Sequence, residues 1–351
     1  MSGLPILPRA TLSPLRARID DVGIIEHARG PVPAPEFGHC IDDAGRALGL
    51  AGQLWDDPDA SMVAAACLLQ LEASWCSGRG LVLRLDADGR PTGDPLSDDG
   101  WARMLWGLAH ASTGSLGATI AQRSAPLLAA LAGMESSQPR AAAHAVLAGV
   151  VLLRHDSASA DGARLVDVNA GNLPVAGRRG SWMWPEPRLT YGNTLVVEAL
   201  LAVAALSGDE IGIESGLELL DWLVSQETSV AGNLSFTPVG GRGPGEPGGF
   251  DQQPLEAWTL ADAAREAYRI SPDKAWVDVA NRAAAWFGEE NDLGLPMWDP
   301  VTGAAFDGLT AVGVNLNQGA ESTRALIGTV HAAEVLASSS AAKSLRRSSS
   351  R

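Results

Sequence analysis

The sequence predicts an all-α chain, a closed ring of helical hairpins carrying short β-hairpin inserts. Three observations carry that reading. Apolar residues recur at helical period through most of the chain, strand signals are brief and isolated, and polar clusters recur just ahead of the most apolar helices.

The period is clear in 274–287, where Trp276, Val279, Ala280, Ala283, Ala284 and Phe287 share one stripe and Asp278, Asn281 and Arg282 lie off it. Asp57-Pro58 and Ser271-Pro272 read as an N-cap followed by a proline in the first helical turn. Helices are expected over 42–53, 59–75, 99–111, 116–132, 139–155, 160–170, 191–206, 210–226, 254–269, 273–287 and 318–336. Two kinds alternate. Residues 194–206 are apolar nearly all round and so should be buried on all sides, whereas 273–287 keep one wet face. Inner helices enclosed by outer ones give that alternation. Residues 81–85 alternate before the Asp88-Gly89 turn and 295–298 precede a turn at Thr302-Gly303, so both read as small hairpins. The Gly/Pro-rich stretches 31–38 and 238–249 read as loops, the second long enough to suggest a function.

The starts of the most apolar helices fall near 42, 98, 140, 190, 251 and 318; five carry a polar cluster, and the one at Pro139-Arg140 fits the spacing without a carboxylate. Their spacing, roughly 40–70 residues, is that of one helical hairpin with its insert, which gives a ring of six hairpins. The domain reading is an N-terminal extension over 1–18, the ring over 19–337, and a Ser/Arg-rich tail over 338–351 expected to be disordered.

Composition removes several function classes. A net charge of −15 on 351 residues argues against nucleic-acid or anionic-membrane partners, since both need a basic surface. The longest apolar stretch, 194–206, is interrupted by Glu198, and the N-terminus lacks the apolar core of a signal peptide, so a cytoplasmic location is expected. Cys40, Cys67 and Cys76 imply no disulfide framework and lack metal-ligand spacing, so no metal or cofactor is expected. The run Gly240-Gly241-Arg242-Gly243-Pro244-Gly245 is no phosphate loop, since no Lys-Ser/Thr follows it.

The clusters are where chemistry is expected. They are His39-Cys40-Ile41-Asp42-Asp43, Ser97-Asp98-Asp99-Gly100-Trp101, Trp182-Met183-Trp184-Pro185-Glu186, Asp251-Gln252-Gln253-Pro254-Leu255-Glu256 and Asn315-Leu316-Asn317-Gln318-Gly319-Ala320-Glu321. Parallel inner helices would bring these starts to one mouth. The partial positive charge of a helix N-terminus favours ionised carboxylates, so Asp43, Asp99, Glu256 and Glu321 should be held charged. Glu186, flanked by Trp182 and Trp184, should instead be kept neutral by an apolar setting. A neutral acid beside an ionised base is the pairing of glycoside hydrolysis. Tryptophan, with 11 copies against 2 Tyr and 5 Phe, supplies rings on which sugar C–H faces pack. For any one cluster, capping of the helix is the plainer reading. His27 and His39 read as structural histidines.

Gly23 to His27, the run from Gly38 to Leu48, Ser97 to Arg103 with Trp106-Gly107-Leu108, Glu186 to Tyr191, Asp251 to Ala257, Asn291-Asp292, and Asn317 to Thr323 resemble a family of bacterial six-hairpin glycosidase-like domains. The last motif is the most specific, and the resemblance spans about 19–336. Members are often encoded beside or fused to glycosyltransferases. Asp98, Pro185 and Gln253 stand where the family pattern commonly has Glu, Phe and Arg. The resemblance implies an (α/α)6 toroid, a carbohydrate ligand, and a glycosyltransferase as a partner encoded nearby. The resemblance gives no catalytic pair; the segregation of carboxylates into helix-start clusters assigns Glu186 as general acid and Asp251, followed by Glu321, as base. Asp42, Asp43, Asp98, Asp99, Arg103, Tyr191, Gln253, Glu256, Asn317 and Gln318 would bind hydroxyls, with Trp101, Trp182 and Trp184 as sugar platforms. A non-catalytic glycan-binding partner is the alternative. So is a sugar epimerase or isomerase, which needs a histidine pair, so the places of His27, His39 and His110 discriminate.

Overall fold

A computed structural model describes residues 7–76, 80–95, 98–175 and 181–349. Its Cα positions fall into two compact units, 11–174 with 316–324, and 175–315 with 1–10 and 325–351.

The first unit holds helices α1 (Ser13–Arg16), α2 (Ile41–Gln53), α3 (Ala60–Ala73), α4 (Asp98–Ser112), α5 (Ala118–Leu131), α6 (Pro139–His155) and α7 (Ala160–Asn169). Helices α2, α4 and α6 pack in series, and each also packs on the helix that follows it. This inner row is buried along nearly its whole length, from Arg140 to Val150 in α6 for instance. Small residues let the row close up. A Cβ on Gly45 of α2 would sit 2.6 Å from the Cα of Met104, and one on Gly107 of α4 would sit 2.0 Å from the carbonyl oxygen of Gly45. Only glycine fits either place. The outer α7 shows solvent Arg164 and Asp167. Helix α3 does not follow that rule. It is apolar nearly all round, yet it leaves Met62 and Leu69 about half exposed.

The second unit holds α8 (Asn193–Ser207), α9 (Glu210–Gln226), α10 (Pro254–Ile270), α11 (Lys274–Gly288) and, from Ala325 on, most of α12 (Ala320–Ser349). Helix α8 is enclosed as its apolar pattern predicts, between the left-handed Gly192 and Gly208. Helices α8 and α10 pack together, and α9 and α11 cover them with half-buried faces. Trp184, Phe236, Trp286 and Phe287 fill this unit's core.

Each of the eleven expected helices has a counterpart. The short strand inserts are present in part: Gly80–Leu85 pairs antiparallel with Pro91–Pro95 around Gly89, but 295–298 makes only an isolated bridge, Trp298 to Ala305. The second hairpin lies further on, Gly308–Thr310 with Gly313–Asn315. The segment expected to be an extension contributes α1, with Leu12 and Leu15 fully buried and the Arg18 guanidinium donating to the carbonyl of Gln318 at 2.9 and 2.6 Å. One helical turn is too short to show a period. At the other end α12 continues to Ser349, past the point where composition points to disorder. No helix among the described residues is long and apolar enough to cross a membrane.

Candidate functional site

In the first unit the starts of α2 and α12 bring five charged side chains together. Asp42, Asp43 and Arg46 come from the first turns of α2, and Glu321 and Arg324 from the first turn and a half of α12. Arg103 reaches in from α4. One nitrogen, Arg46 Nη2, lies 3.1 Å from Asp42 Oδ2, 3.9 Å from Asp43 Oδ1 and 2.6 Å from Glu321 Oε2. Arg103 Nη1 donates to the same Asp42 oxygen. Arg324 Nη1 donates to Asp43 Oδ1 at 3.1 Å, and its Nη2 lies 3.6 Å from Glu321. The side chains of Arg46, Asp43 and Arg324 are buried, while that of Glu321 remains 38% exposed. Access to the cluster is therefore through Glu321.

Opposing fields divide the three carboxylates. Burial would raise all three. For Asp42 the guanidiniums of Arg46, Arg103 and Arg324 outweigh burial and hold the carboxyl below its usual range. Glu321 is likewise held low, by Arg46 and Arg324 against burial. Asp43 goes the other way. Burial, reinforced by the charges of Asp42 and Glu321, overcomes Arg324 and Arg46 and pushes it up to about 7. This corrects the expectation that the helix N-terminus holds Asp43 ionised: a fractional dipole charge of about half a unit is outweighed by desolvation and two neighbouring carboxylates. Burial and Arg46 lower Arg324 to about 10. Two buried atoms, Arg46 Nη1 and Asp42 Oδ1, have no hydrogen-bond partner among the described residues. A donor and an acceptor left open in one cluster suit a bound hydroxyl.

Around this cluster, Asn317 Oδ1 accepts from the Gly30 amide at 3.0 Å, and the Gln318 amide donates to the Gly30 carbonyl at 3.1 Å. These two residues anchor the approach to α12. Trp101 is 1% exposed and packs as core. Asp98 and Asp99 open α4, but their side chains lie outside the described residues. His144, on α6, is held well below its usual range by burial and by Arg103 and Arg46, and its Nδ1 lies 3.0 Å from the Arg140 carbonyl. Of the three histidines expected to discriminate, His27 borders the cluster through Glu26, which lies within 4.8 Å of Asp43. His27 is half exposed beside Glu26, His39 is buried against Asp20 at 3.0 Å, and His110 packs edge-on to Trp106. Glu26, Cys40 and Asp43 place ligand-type atoms within 4.8 Å of one another. Burial, with the charges of Asp43 and Asp42, raises the Cys40 thiol, and Arg46 and Arg324 face Asp43, so this grouping is poorly suited to a cation.

The second unit holds the remaining candidates. Trp184 Nε1 donates to Glu186 Oε2 at 3.2 Å, and Trp182 Nε1 donates to the Glu186 carbonyl at 3.0 Å. Both indoles therefore fix Glu186, and the Trp184 ring is buried in the core. Glu256 is buried and accepts from the Gly192 amide at 2.8 Å, where it caps the start of α8. Tyr191 is half-buried just before that start. Asp251 is exposed, and Gln253 occupies the N-cap of α10 without making a side-chain cap bond. Its neighbour Gln252 is the fixed one. The Gln252 amide donates to Asp292 at 2.6 Å and to the Gly249 carbonyl at 3.0 Å, and accepts from Trp286 Nε1 at 3.2 Å. Asp292 also accepts from Asn233 and Ser235. A cavity of about 650 Å³ in this unit is lined by Asp278, Arg282, Glu290 and Glu334 and by none of the candidate residues.

Sequence reading passed over Arg324, and gave no role to Arg46, Gln252 and Asp292 although they stand in its motifs. For the two arginines a signal was present, because each stands three residues after a cluster carboxylate, the spacing at which helical side chains meet.

No family model matches the chain, and no curated protein matches it. Solved structures do. A cellobiose 2-epimerase from Bacillus thermoamylovorans is similar with a TM-score of 0.68 at 12% identity, over 92% of this chain and 96% of that one. A D-mannose isomerase gives 0.66 at 15%, over 90% and 93%. A GH76 α-mannanase of Bacteroides thetaiotaomicron gives 0.61 at 12%, over 92% of each. The fold is thus that of the six-hairpin glycosidase-like (α/α)6 toroids, all-α with short strands.

Proposed function

We propose that this chain is a carbohydrate-active protein that takes its sugar at the Asp42–Asp43–Glu321 cluster and cleaves a glycosidic bond there. The observation that carries the reading is the gathering of Asp42, Asp43 and Glu321 within 2.6–3.9 Å of one Arg46 nitrogen. Burial pushes Asp43 up to about 7 there, while the arginines hold Asp42 and Glu321 low. A proton-bearing carboxyl beside ionised ones is the equipment of acid–base glycoside hydrolysis. In this reading Glu321, the most exposed of the three, is the ionised partner, Asp43 carries the proton, and Arg46 and Asp42 bind a hydroxyl. Glu186 and Asp251, in the second unit, form the competing assignment. Relatives in fold alone support the substrate class: their names give sugar epimerases, a mannose isomerase and a mannanase.

The test is turnover of aryl glycosides and short manno-, gluco- and arabino-oligosaccharides by the wild type and by Glu321→Gln, Asp43→Asn and Glu186→Gln. Loss on Glu321→Gln and Asp43→Asn with Glu186→Gln active supports the cluster. Loss on Glu186→Gln alone moves the chemistry to the second unit. Binding without cleavage supports a glycan-binding partner of a glycosyltransferase.

One observation favours an epimerase or isomerase as second reading. His144 is kept neutral beside the arginines that serve the cluster, and a neutral imidazole is a competent base. It is a single histidine in place of the expected pair. Reducing sugars incubated with the protein in deuterated water would acquire deuterium at the carbon next to the carbonyl under this reading and under no hydrolytic one.

A further inference from the structure

The outward surface of α3 and α5 differs from that of the other outer helices. Helices α7, α9 and α11 show charge to solvent, through Arg164 and Asp167, Glu214 and Glu218, and Asp278. Helix α3 contains one charged residue, Glu72, and α5 contains one, Arg123. These two bind each other, Nε to Oε1 at 3.0 Å and Nη2 to Oε2 at 2.6 Å. Two adjacent helices therefore present a face with no uncompensated charge on a chain whose net charge is −15. On α5, Gln122, Ala125 and Ala129 are exposed and uncharged. On α3, Met62 and Leu69 are 52% and 49% exposed, with Trp55 and Trp75 exposed beyond either end.

We infer that this face is where two copies of the chain associate, α3 against α3 about a twofold axis. The order of side chains argues for a second copy. An isologous contact needs a surface complementary to itself reversed. Within α3, Met62 and Leu69 stand seven residues apart, on one face, symmetrically about the small pair Ala65 and Ala66. Antiparallel α3 helices would meet at the alanines, where backbones can approach closely, and Met62 of each copy would pack on Leu69 of the other. Charge argues the same way. Two strongly negative chains repel over most of their surface, and this face is where that repulsion is least. Helices of this length side by side present a face about 20 Å by 20 Å, about 800 Å² over both copies, below the roughly 1,200 Å² of a stable interface, so a weak dimer in reversible equilibrium is expected.

Sedimentation velocity over a micromolar concentration series tests this. The wild type should shift towards twice the chain's 36.4 kDa as concentration rises. Leu69→Glu, which sets two like charges across the axis, should weaken association about 100-fold, with the circular dichroism spectrum unchanged. Ile211→Glu, on the exposed acidic face of α9, should associate as the wild type does. Ala66→Cys should give a covalent dimer on mild oxidation, in excess of any given by the native cysteines. A wild type monomeric throughout the series overturns the inference. So does undiminished association of Leu69→Glu, or an associating Ala66→Cys that fails to cross-link.

Discussion

Asp43 and Arg46 show how far one position depends on its neighbours. Arg46 serves three carboxylates with one nitrogen, so its removal leaves buried anions facing each other. Arg46→Met should destabilise the chain by about 3–5 kcal/mol, the cost of breaking a buried pair by deleting one partner, read from urea unfolding. A loss below about 1 kcal/mol would mean that Arg103 and Arg324 suffice. Asp43 gives a pH signature whose sign is fixed. Its folded pKa, about 7, lies above the unfolded value of 3.8, so the native state holds the proton more tightly. The group therefore adds nothing below about pH 4 and costs stability progressively as pH rises to about 7, by at most about 4 kcal/mol. Asp42 and Glu321, held low, contribute in the opposite sense, and what they stabilise is lost as pH falls. The difference in unfolding free energy between wild type and Asp43→Asn isolates the Asp43 part. It should move in favour of the variant between pH 4 and 7, and a flat difference would show that Asp43 is ionised throughout. None of this was legible from residue type. The sequence marks Asp42, Asp43 and Glu321 as helix-start carboxylates, but which of them keeps its proton depends on arginines brought in from three helices.

At the scale of the element, the helices were the legible part. Period and capping place them to within a few residues because an inner helix must be apolar on all sides and an outer one on a single side. One helix obeys neither rule. Helix α3 is apolar nearly all round but carries an open apolar face. The tryptophans misled, since Trp101 and Trp184 are needed to fill the core and offer no open ring. Close approach of α2 and α4 was invisible in the sequence, because a glycine inside a helix shows only as a weak helix former. Its consequence is testable. A Cβ at residue 107 would lie 2.0 Å from the Gly45 carbonyl oxygen, so Gly107→Ala should cost about 1–3 kcal/mol despite the better helix propensity of alanine. If Gly107→Ala instead gained stability, as the propensity alone requires, the two helices would have room to part. Glu256 makes the converse case. Glu256→Ala leaves the buried Gly192 amide without this acceptor and should cost about 1–3 kcal/mol, read as loss of thermal stability.

For the molecule as a whole, charge sets the terms. Lys and Arg number 26 against 41 Asp and Glu, and the resulting −15 is spread over a chain whose innermost ion pairs are buried. These two populations of charge answer to salt differently. Exposed like charges repel over the Debye length, about 30 Å at 10 mM salt and about 8 Å at 150 mM, so added salt removes a destabilising term. Buried pairs such as Arg324–Asp43 are shielded from the solvent ions and change little. The balance favours screening, so the melting temperature should rise as sodium chloride goes from about 10 to 150 mM and then level off. A melting temperature that fell over that range would show that exposed ion pairs such as Arg188–Glu246, whose side chains are 46% and 48% exposed, hold more of the stability than the repulsion between like charges removes. Association through the neutral face of α3 and α5 would strengthen over the same range, because the repulsion that opposes it is the same long-range term.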